Sequence, residues 1–138
     1  MKNLLIIFAI TLCLGCNEKV GPSPEINIVG KWRLVSYCKP SGGLASGCQE
    51  ITLPENKAVY VEFSKKGTFN ETYENTIAAD YAFLGCGSGG YNLENGSVRI
   101  KATCMSSLDG TLIEISSLTS KKLVLKHPFL SEFVFEKE

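Results

Sequence analysis

Apolar and polar residues alternate, with a period of two, through most of the chain beyond residue 27. The alternation is clearest in the segments VGKWRLVSY, AVYVEFS, TFNETYE, TLIEISSL, KLVLKH and EFVFEKE. This period is typical of half-buried β-strands, and turn-forming residues separate the segments at KKG 65–67, ENG 94–96, LDG 108–110 and TSKK 119–122. No window predicts a long amphipathic helix. The pattern therefore predicts an all-β domain of roughly seven or eight short strands, either a β-barrel or a sandwich.

The same alternation predicts which side chains point into the interior. They are the apolar members of one face of each strand: Trp32, Leu34, Val59, Val61, Phe63, Phe69, Tyr73, Tyr91, Leu93, Val98, Ile100, Ile113, Ile115, Leu123, Leu125, Phe133 and Phe135. A fully buried side chain of this kind contributes on the order of 1.5–3 kcal/mol. Because the set is bulky for so short a chain, we expect it to form a filled core rather than a roomy apolar cavity.

Glu71 does not fit the apolar face on which it lies, between Phe69 and Tyr73. A buried carboxylate without a partner is costly. Either this face opens at the mouth of a barrel, or Glu71 meets a cation or a hydrogen-bonding ligand. Glu71, Tyr73 and Tyr91 are therefore our candidate ligand-binding residues.

The Asn95-Gly96 pair predicts a two-residue hairpin, because both turn positions need a positive φ. This register places Leu93 opposite Val98 and Tyr91 opposite Ile100. Extended further, the same ladder brings Cys86 to within one position of Cys104. A bulge or the neighbouring glycines would bring the two thiols into disulfide range.

Six cysteines occur in the chain. Cys38, Cys48, Cys86 and Cys104 fall in the β-rich part, where an exported domain is expected to form two disulfides with three possible connectivities. The hairpin register predicts Cys86–Cys104, and elimination then leaves Cys38–Cys48. A zinc site is the alternative, but the sequence has no CxxC motif. Its single histidine, His127, precedes proline and is expected at the surface, so we predict no metal and no cofactor.

The N-terminus has the features of an export signal. Lys2 precedes an apolar run, residues 4–14, that is too short to span a bilayer as a helix. Gly15 and Cys16 resemble the cleavage junction of a bacterial lipoprotein, although Cys13 stands where an aliphatic residue is usual. We predict a signal peptide over residues 1–15 and a lipid on Cys16. The alternative is an ordinary secretory signal in which Cys16 is incidental.

The rest of the chain divides into a spacer and one domain. Residues 16–27 are mostly polar and contain two prolines, which is typical of a flexible tether. Residues 28–138 form the predicted barrel domain, long enough for one core.

Charge and motifs exclude several functions. The chain has 14 basic and 14 acidic residues and no basic run, which argues against nucleic-acid binding. The glycine-rich GCGSGGYNLENG lacks the Lys-Ser/Thr of a phosphate loop, and no paired carboxylates or nucleophile motif occur. We therefore predict no catalytic residues and no enzymatic activity.

Five segments, taken in order, resemble a known family: IVGKWRLVSY, YVEFSKKGTFNETY, YNLENGSVRI, IEISSLTSKKLVLKH and FVFEKE. They are similar to the lipocalin-like domain of lipoproteins from Bacteroidetes-type bacteria, over roughly residues 28–138. The resemblance implies a small antiparallel up-and-down β-barrel of about eight strands. Gly30 and Trp32 match the Gly-x-Trp of lipocalins, whose tryptophan closes one barrel end, often under an arginine from a late strand. Here no arginine follows Arg99, and only lysines lie near the C-terminus.

These observations predict a lipoprotein anchored in the bacterial cell envelope, at the outer membrane, and facing the periplasm or the surface. Its expected partners are the membrane, through the N-terminal lipid, and a small hydrophobic ligand. The alternative is a protein-interaction or inhibitor module of the envelope that uses loops 39–57 and 76–90, each stiffened by cysteines.

Overall fold

The computed structural model describes residues 27–40, 48–128 and 131–138. These residues form strands and no helix, and none of them belongs to a helical segment able to cross a membrane. The strands are β1 (Gly30–Pro40), β2 (Cys48–Thr52), β3 (Ala58–Phe63), β4 (Thr68–Glu74), β5 (Ser88–Glu94), β6 (Ser97–Ala102), β7 (Thr111–Leu118), β8 (Lys122–His127) and β9 (Ser131–Lys137). The predicted signal peptide, Cys16 and the tether up to residue 26 lie outside the described residues.

All of these strands belong to one antiparallel sheet, which closes because β1 pairs with β9 as well as with β3. The closed ring consists of β1 and β3 to β9, joined in chain order. β2 is an additional strand that pairs with the second half of β1. The predicted fold class, a small up-and-down antiparallel barrel of about eight strands, is confirmed.

The two long loops expected from the sequence are shorter than predicted. β2 lies inside residues 39–57, and residues 88–90 belong to β5. The prediction missed β2 because its sequence, CQEIT, has only one strongly apolar side chain apart from the cysteine, and its residues are mostly exposed. Burial of one face is the signal on which strand prediction from alternation depends.

The predicted inward-facing residues fill the barrel. Buried positions on the strands include Trp32, Leu34, Val59, Val61, Phe63, Phe69, Tyr91, Val98, Ile100, Ile113, Leu123, Leu125, Phe133 and Phe135. Tyr73 and Ile115 are partly buried against this core. The core also contains Ile28, Leu53 and Phe83, which lie outside the strands and which the alternation did not select.

Leu93 is an exception, because its side chain is 41% exposed. The β5–β6 hairpin has the predicted register, and Leu93 lies opposite the buried Val98. However, the described ladder between β5 and β4 covers residues 88–90 of β5 and does not extend to Leu93. Alternation predicted the face of this residue correctly, but not how far the neighbouring strand would cover it.

Trp32 lies at one end of the barrel, which we call the closed end. Its indole N–H donates to the carbonyl of Ile28 at 2.7 Å. Lys137, the partner of Trp32 in the β1–β9 ladder, places Nζ 4.3 Å from the centroid of a Trp32 ring. The same Nζ donates to the carbonyl of Val29 at 2.6 Å. A lysine therefore takes the place over the tryptophan that the resemblance assigns to an arginine, and the contact is a cation–π interaction.

Gly30 makes room for this lysine. Its φ of +133° is a conformation that side chains rarely adopt, and a Cβ at this position would collide with Nζ of Lys137. Glycine is required here both for the backbone conformation and for the close approach of Lys137.

Candidate functional site

The barrel end opposite Trp32 forms a mouth. At this end Tyr37 pairs with Phe133, and Ala58 pairs with Glu74. The connection from β4 to β5, residues 75–87, begins here, and we call it the mouth loop. It contains a turn in which the N–H groups of Asp80 and Tyr81 donate to the carbonyl of Ile77, at 3.0 and 3.2 Å. The mouth loop then carries Phe83 into the apolar core.

Phe83 acts as a plug in the mouth. Its side chain is 1% exposed. Its ring meets Phe133 edge-on, with centroids 5.1 Å apart, and meets Phe135 in the same way at 5.4 Å. Edge-to-face geometry is favourable for aromatic pairs. An aromatic ring from a connecting loop therefore occupies space at the mouth that no strand residue fills.

Glu71 holds this loop in place. The side chain of Glu71 is 4% exposed, so the carboxylate is buried. Its Oε1 accepts a hydrogen bond from the N–H of Phe83 at 2.7 Å. Its Oε2 accepts from the N–H groups of Leu84 and Gly85, at 3.2 and 3.0 Å. Hydrogen bonds to an ionised acceptor are stronger than neutral ones, so three consecutive backbone donors solvate the carboxylate and fix the plug.

The sequence left two explanations for Glu71, an open mouth or a ligand that meets the carboxylate. The residue does lie at the mouth, but it is covered there by the chain's own loop. The N–H groups of residues 83–85 supply the hydrogen bonds that the sequence predicts from solvent or from a ligand.

Tyr73 follows Glu71 on the inward face of β4. Its hydroxyl is buried close to the Glu71 carboxylate, without a well-aligned hydrogen bond in the described part of the chain. Burial, and next the nearby Glu71 carboxylate, raise the pKa of Tyr73 well above its ordinary value. The mouth therefore contains a buried hydroxyl and a buried carboxylate close together.

Tyr91, the third candidate ligand residue, does not join these two. Its hydroxyl donates to the carbonyl of Ser64 at 2.8 Å, in the turn between β3 and β4. Its ring meets Phe63 edge-on at 5.0 Å. Tyr91 thus stabilises the closed-end side of the barrel, while Glu71 and Tyr73 line the mouth.

Both predicted disulfides are present, Cys38–Cys48 and Cys86–Cys104. The Cα atoms of Cys86 and Cys104 are 5.6 Å apart. Cys86 follows Gly85 directly, so this disulfide ties the end of the mouth loop to the segment after β6. The Cys38–Cys48 disulfide, with Cα atoms 5.4 Å apart, closes the β1–β2 connection.

His127 also belongs to the mouth, which the sequence did not predict. The residue is 9% exposed, so the expectation of a surface histidine is wrong. It follows Leu123 and Leu125 on the inward face of β8, and burial lowers its pKa. The period of two along β8 indicates this buried position, whereas the following proline favours the surface.

An open cleft adjoins the plug. Its volume is about 430 Å³, and it lies between the mouth loop and strands β1 and β9. Tyr37, Phe133, Phe83 and Leu84 form much of its apolar lining, and the charged side chains of Lys39 and Asp80 also border it. Its volume lies within the range of small-molecule sites.

Phe83 is the main residue of this site that sequence reasoning missed. It lies in DYAFLGC, where no alternation marks a strand. The signal that could have found it is the pair Phe83 and Leu84, two large apolar residues in a loop that precedes a cysteine. In the described residues, no group of three or more His, Cys, Asp or Glu side chains could hold a metal ion.

Comparison with known proteins places the chain in a family. A family model described as a lipocalin-like domain matches residues 28–125. No curated protein matches the chain. A crystal structure of an uncharacterized protein from Bacteroides eggerthii, at 2.60 Å resolution, is 18% identical and covers 81% of this chain and 100% of its own, with a TM-score of 0.42. The family match extends over most of the chain and includes the barrel from β1 into β8, so the protein belongs to the lipocalin-like domain family.

Proposed function

We propose that this protein binds a small apolar molecule at the mouth of its barrel and is not an enzyme. The observation that supports the proposal is the plug, because Phe83 reaches the core from a loop and not from a strand. A ring on a loop can leave without breaking the barrel, since the strand ladders do not include it. Small barrels hold at most one small ligand, and the filled interior leaves the mouth as the place for it.

The surroundings of the plug suit such an exchange. Phe133 contacts the Phe83 ring and also lines the open cleft of about 430 Å³. A ligand could therefore contact Phe133 from the cleft first and then take the position of the ring as the loop moves. Loops that cover ligand sites commonly move in this way.

A neutral fluorescent probe, N-phenyl-1-naphthylamine, tests the proposal by titration. We expect saturable binding, and we expect Phe83→Ala to tighten it about tenfold because the probe no longer displaces a ring. Leu108→Ala is the matched control, because Leu108 is fully exposed in a different loop. Absence of binding to both the parent protein and Phe83→Ala would contradict the proposal.

Native mass spectrometry of protein purified from its own host extends this test to the natural ligand. Added mass from a small molecule would support the proposal. A co-purifying protein without a small molecule would favour the alternative function, in which the loops bind an envelope protein.

We propose further that lipid on Cys16 anchors the protein in the outer membrane of the bacterial envelope. The sequence around residues 13–16 and the apolar run before it support this. Labelling of growing cells with radioactive palmitate should mark the protein, and Cys16→Ser should abolish the label. Cys13→Ser is the control, because cleavage before Cys16 removes that residue. Label that persists in Cys16→Ser would contradict the anchor.

A further inference from the structure

The plug of the mouth has a definite chemistry, and it combines two elements. One is the phenyl ring of Phe83, which meets the rings of Phe133 and Phe135 edge-on. The other is a row of N–H donors, from residues 83–85, that all point to the carboxylate of Glu71. The mouth is thus complementary to an apolar group of phenyl size joined to a hydrogen-bond donor.

We infer that the natural ligand is a cationic amphiphile, an aromatic or similarly bulky apolar group joined to a protonated amine, and that the mouth loop imitates it in the unliganded protein. The inference rests on the proposed function and names its ligand class. The ring of the ligand would replace Phe83, and its ammonium would replace the three backbone N–H groups at Glu71.

Glu71 is the residue that selects for charge. When the mouth loop leaves, this carboxylate loses three donors while it still lies among buried residues, and an unpaired buried charge is strongly unfavourable. A neutral ligand would return at most part of the three hydrogen bonds and no opposite charge to Glu71, and an anionic ligand would add repulsion. Discrimination of this kind depends on what the wrong ligand leaves unsatisfied as much as on what the right ligand gains.

Tyr73 supports the same ligand class. Its hydroxyl is buried close to the Glu71 carboxylate, and burial together with that carboxylate raises its pKa; the hydroxyl oxygen accepts no hydrogen bond in the described structure. A hydroxyl oxygen can accept a hydrogen bond from an ammonium. A primary amine, with three donors, can therefore donate to the Tyr73 oxygen and to the Glu71 carboxylate at the same time.

Three probes with the same apolar part separate the possibilities: 4-phenylbutylamine, 4-phenylbutan-1-ol and 4-phenylbutyrate. Each is titrated at pH 7 by isothermal calorimetry into the full mature, disulfide-bonded protein and into its Phe83→Ala variant. We expect the amine to bind at least about tenfold tighter than the alcohol, and the alcohol tighter than the carboxylate. Phe83→Ala should tighten the binding of the amine about tenfold, because the ring site is then vacant.

Two further variants in the Phe83→Ala background test which side chains bind the ammonium group of the amine. Glu71→Gln should remove the preference for the amine over the alcohol. Tyr73→Phe should weaken the binding of the amine several-fold and that of the alcohol less, because the ammonium has three donors and the alcohol has one. If Glu71→Gln does not fold, the comparison of the three probes on Phe83→Ala still decides the inference, because it needs no change at Glu71.

The outcomes distinguish this inference from the proposed function. Binding of the alcohol or the carboxylate as tight as the amine would support an apolar-ligand protein and overturn the cationic class. Binding of none of the three probes to either protein would overturn the cationic class as well, and if N-phenyl-1-naphthylamine also fails to bind, it would overturn the proposed function too. An amine preference that survives Glu71→Gln would overturn the assignment of Glu71.

Discussion

At the scale of single residues, the contact between Lys137 and Trp32 shows how one end of the barrel is sealed. Lys137→Met keeps most of the alkyl chain and removes the charge, the cation–π contact and the bond to the Val29 carbonyl. We expect it to lower the free energy of unfolding by about 1 kcal/mol, measured by urea denaturation. Lys66→Met, in an exposed turn, is the control and should change stability little. Equal midpoints for the two variants would contradict the role of Lys137.

The structure also predicts the cost of changing Glu71. Glu71→Gln leaves one oxygen to accept the hydrogen bonds that two oxygens accept now, and it turns an amide N–H toward a backbone donor. We expect the free energy of unfolding to fall by about 1–3 kcal/mol. Glu62→Gln, on the exposed side of β3, removes the same charge and should cost under about 0.5 kcal/mol. A Glu71→Gln protein as stable as this control would show that the three hydrogen bonds do not hold the loop.

His127 predicts a pH dependence of stability. Burial lowers its pKa in the folded protein below the ordinary value of 6.5, so the unfolded chain takes up a proton first as the pH falls. Stability from this group is therefore present above pH 6.5 and is lost as the pH falls through the folded-state pKa. Urea midpoints measured between pH 7.5 and about 5.5 should decrease for the parent protein. The decrease should be smaller in His127→Gln. An equal decrease of the urea midpoint in the parent protein and in the variant would show that His127 does not cause the pH dependence.

At the scale of elements, the Cys86–Cys104 disulfide is a second tie, besides Glu71, between the mouth loop and the barrel. It joins residues separated by 18 positions. Removing a disulfide that closes a loop of this size lowers the free energy of unfolding by about 3 kcal/mol. In Cys86→Ala/Cys104→Ala we expect the amides of residues 83–85 to exchange faster with deuterium, because the loop opens more often. Cys38→Ala/Cys48→Ala is the matched control, and faster exchange of these amides in it as well would show general loosening instead.

Elements could be predicted from the sequence wherever one face of a strand is buried. In β3, Val59, Val61 and Phe63 alternate with more exposed residues, and the pattern is visible without coordinates. The β5–β6 hairpin even gave its register, because the Asn95-Gly96 turn admits one pairing. β2 could not be found in this way. Its residues are mostly exposed, so its pairing with β1 through backbone hydrogen bonds does not require an alternation of apolar and polar side chains.

The candidate site was predictable only in part, for a related reason. Glu71 was conspicuous because a charge among apolar neighbours breaks the alternation. Its partners are backbone N–H groups of a loop, and any residues other than proline could supply them. Phe83 packs through contacts distant in sequence, with Phe133 and Phe135 of the last strand. Such contacts depend on the closed barrel as a whole, which local patterns do not encode.

At the scale of the whole molecule, closure of the barrel depends on β9, which pairs with β1 along one edge and with β8 along the other. β9 supplies Phe133 and Phe135 to the core and Lys137 to the closed end. Phe135→Ala should therefore lower the free energy of unfolding by about 3–5 kcal/mol. Val134→Ala, at the adjacent partly exposed position of the same strand, should cost under about 1.5 kcal/mol.

Truncation after residue 130 tests the same closure more severely. It removes β9, so β1 and β8 each lose a neighbour and the Phe83 plug loses both of its aromatic contacts. We expect the truncated chain to show no cooperative urea transition and no near-ultraviolet circular dichroism from Trp32. The family match ends at residue 125, yet the fold needs the strand that follows, because a barrel without its last strand exposes two unpaired edges. A truncated protein that still unfolds cooperatively would mean that the remaining strands form a stable sheet without closure.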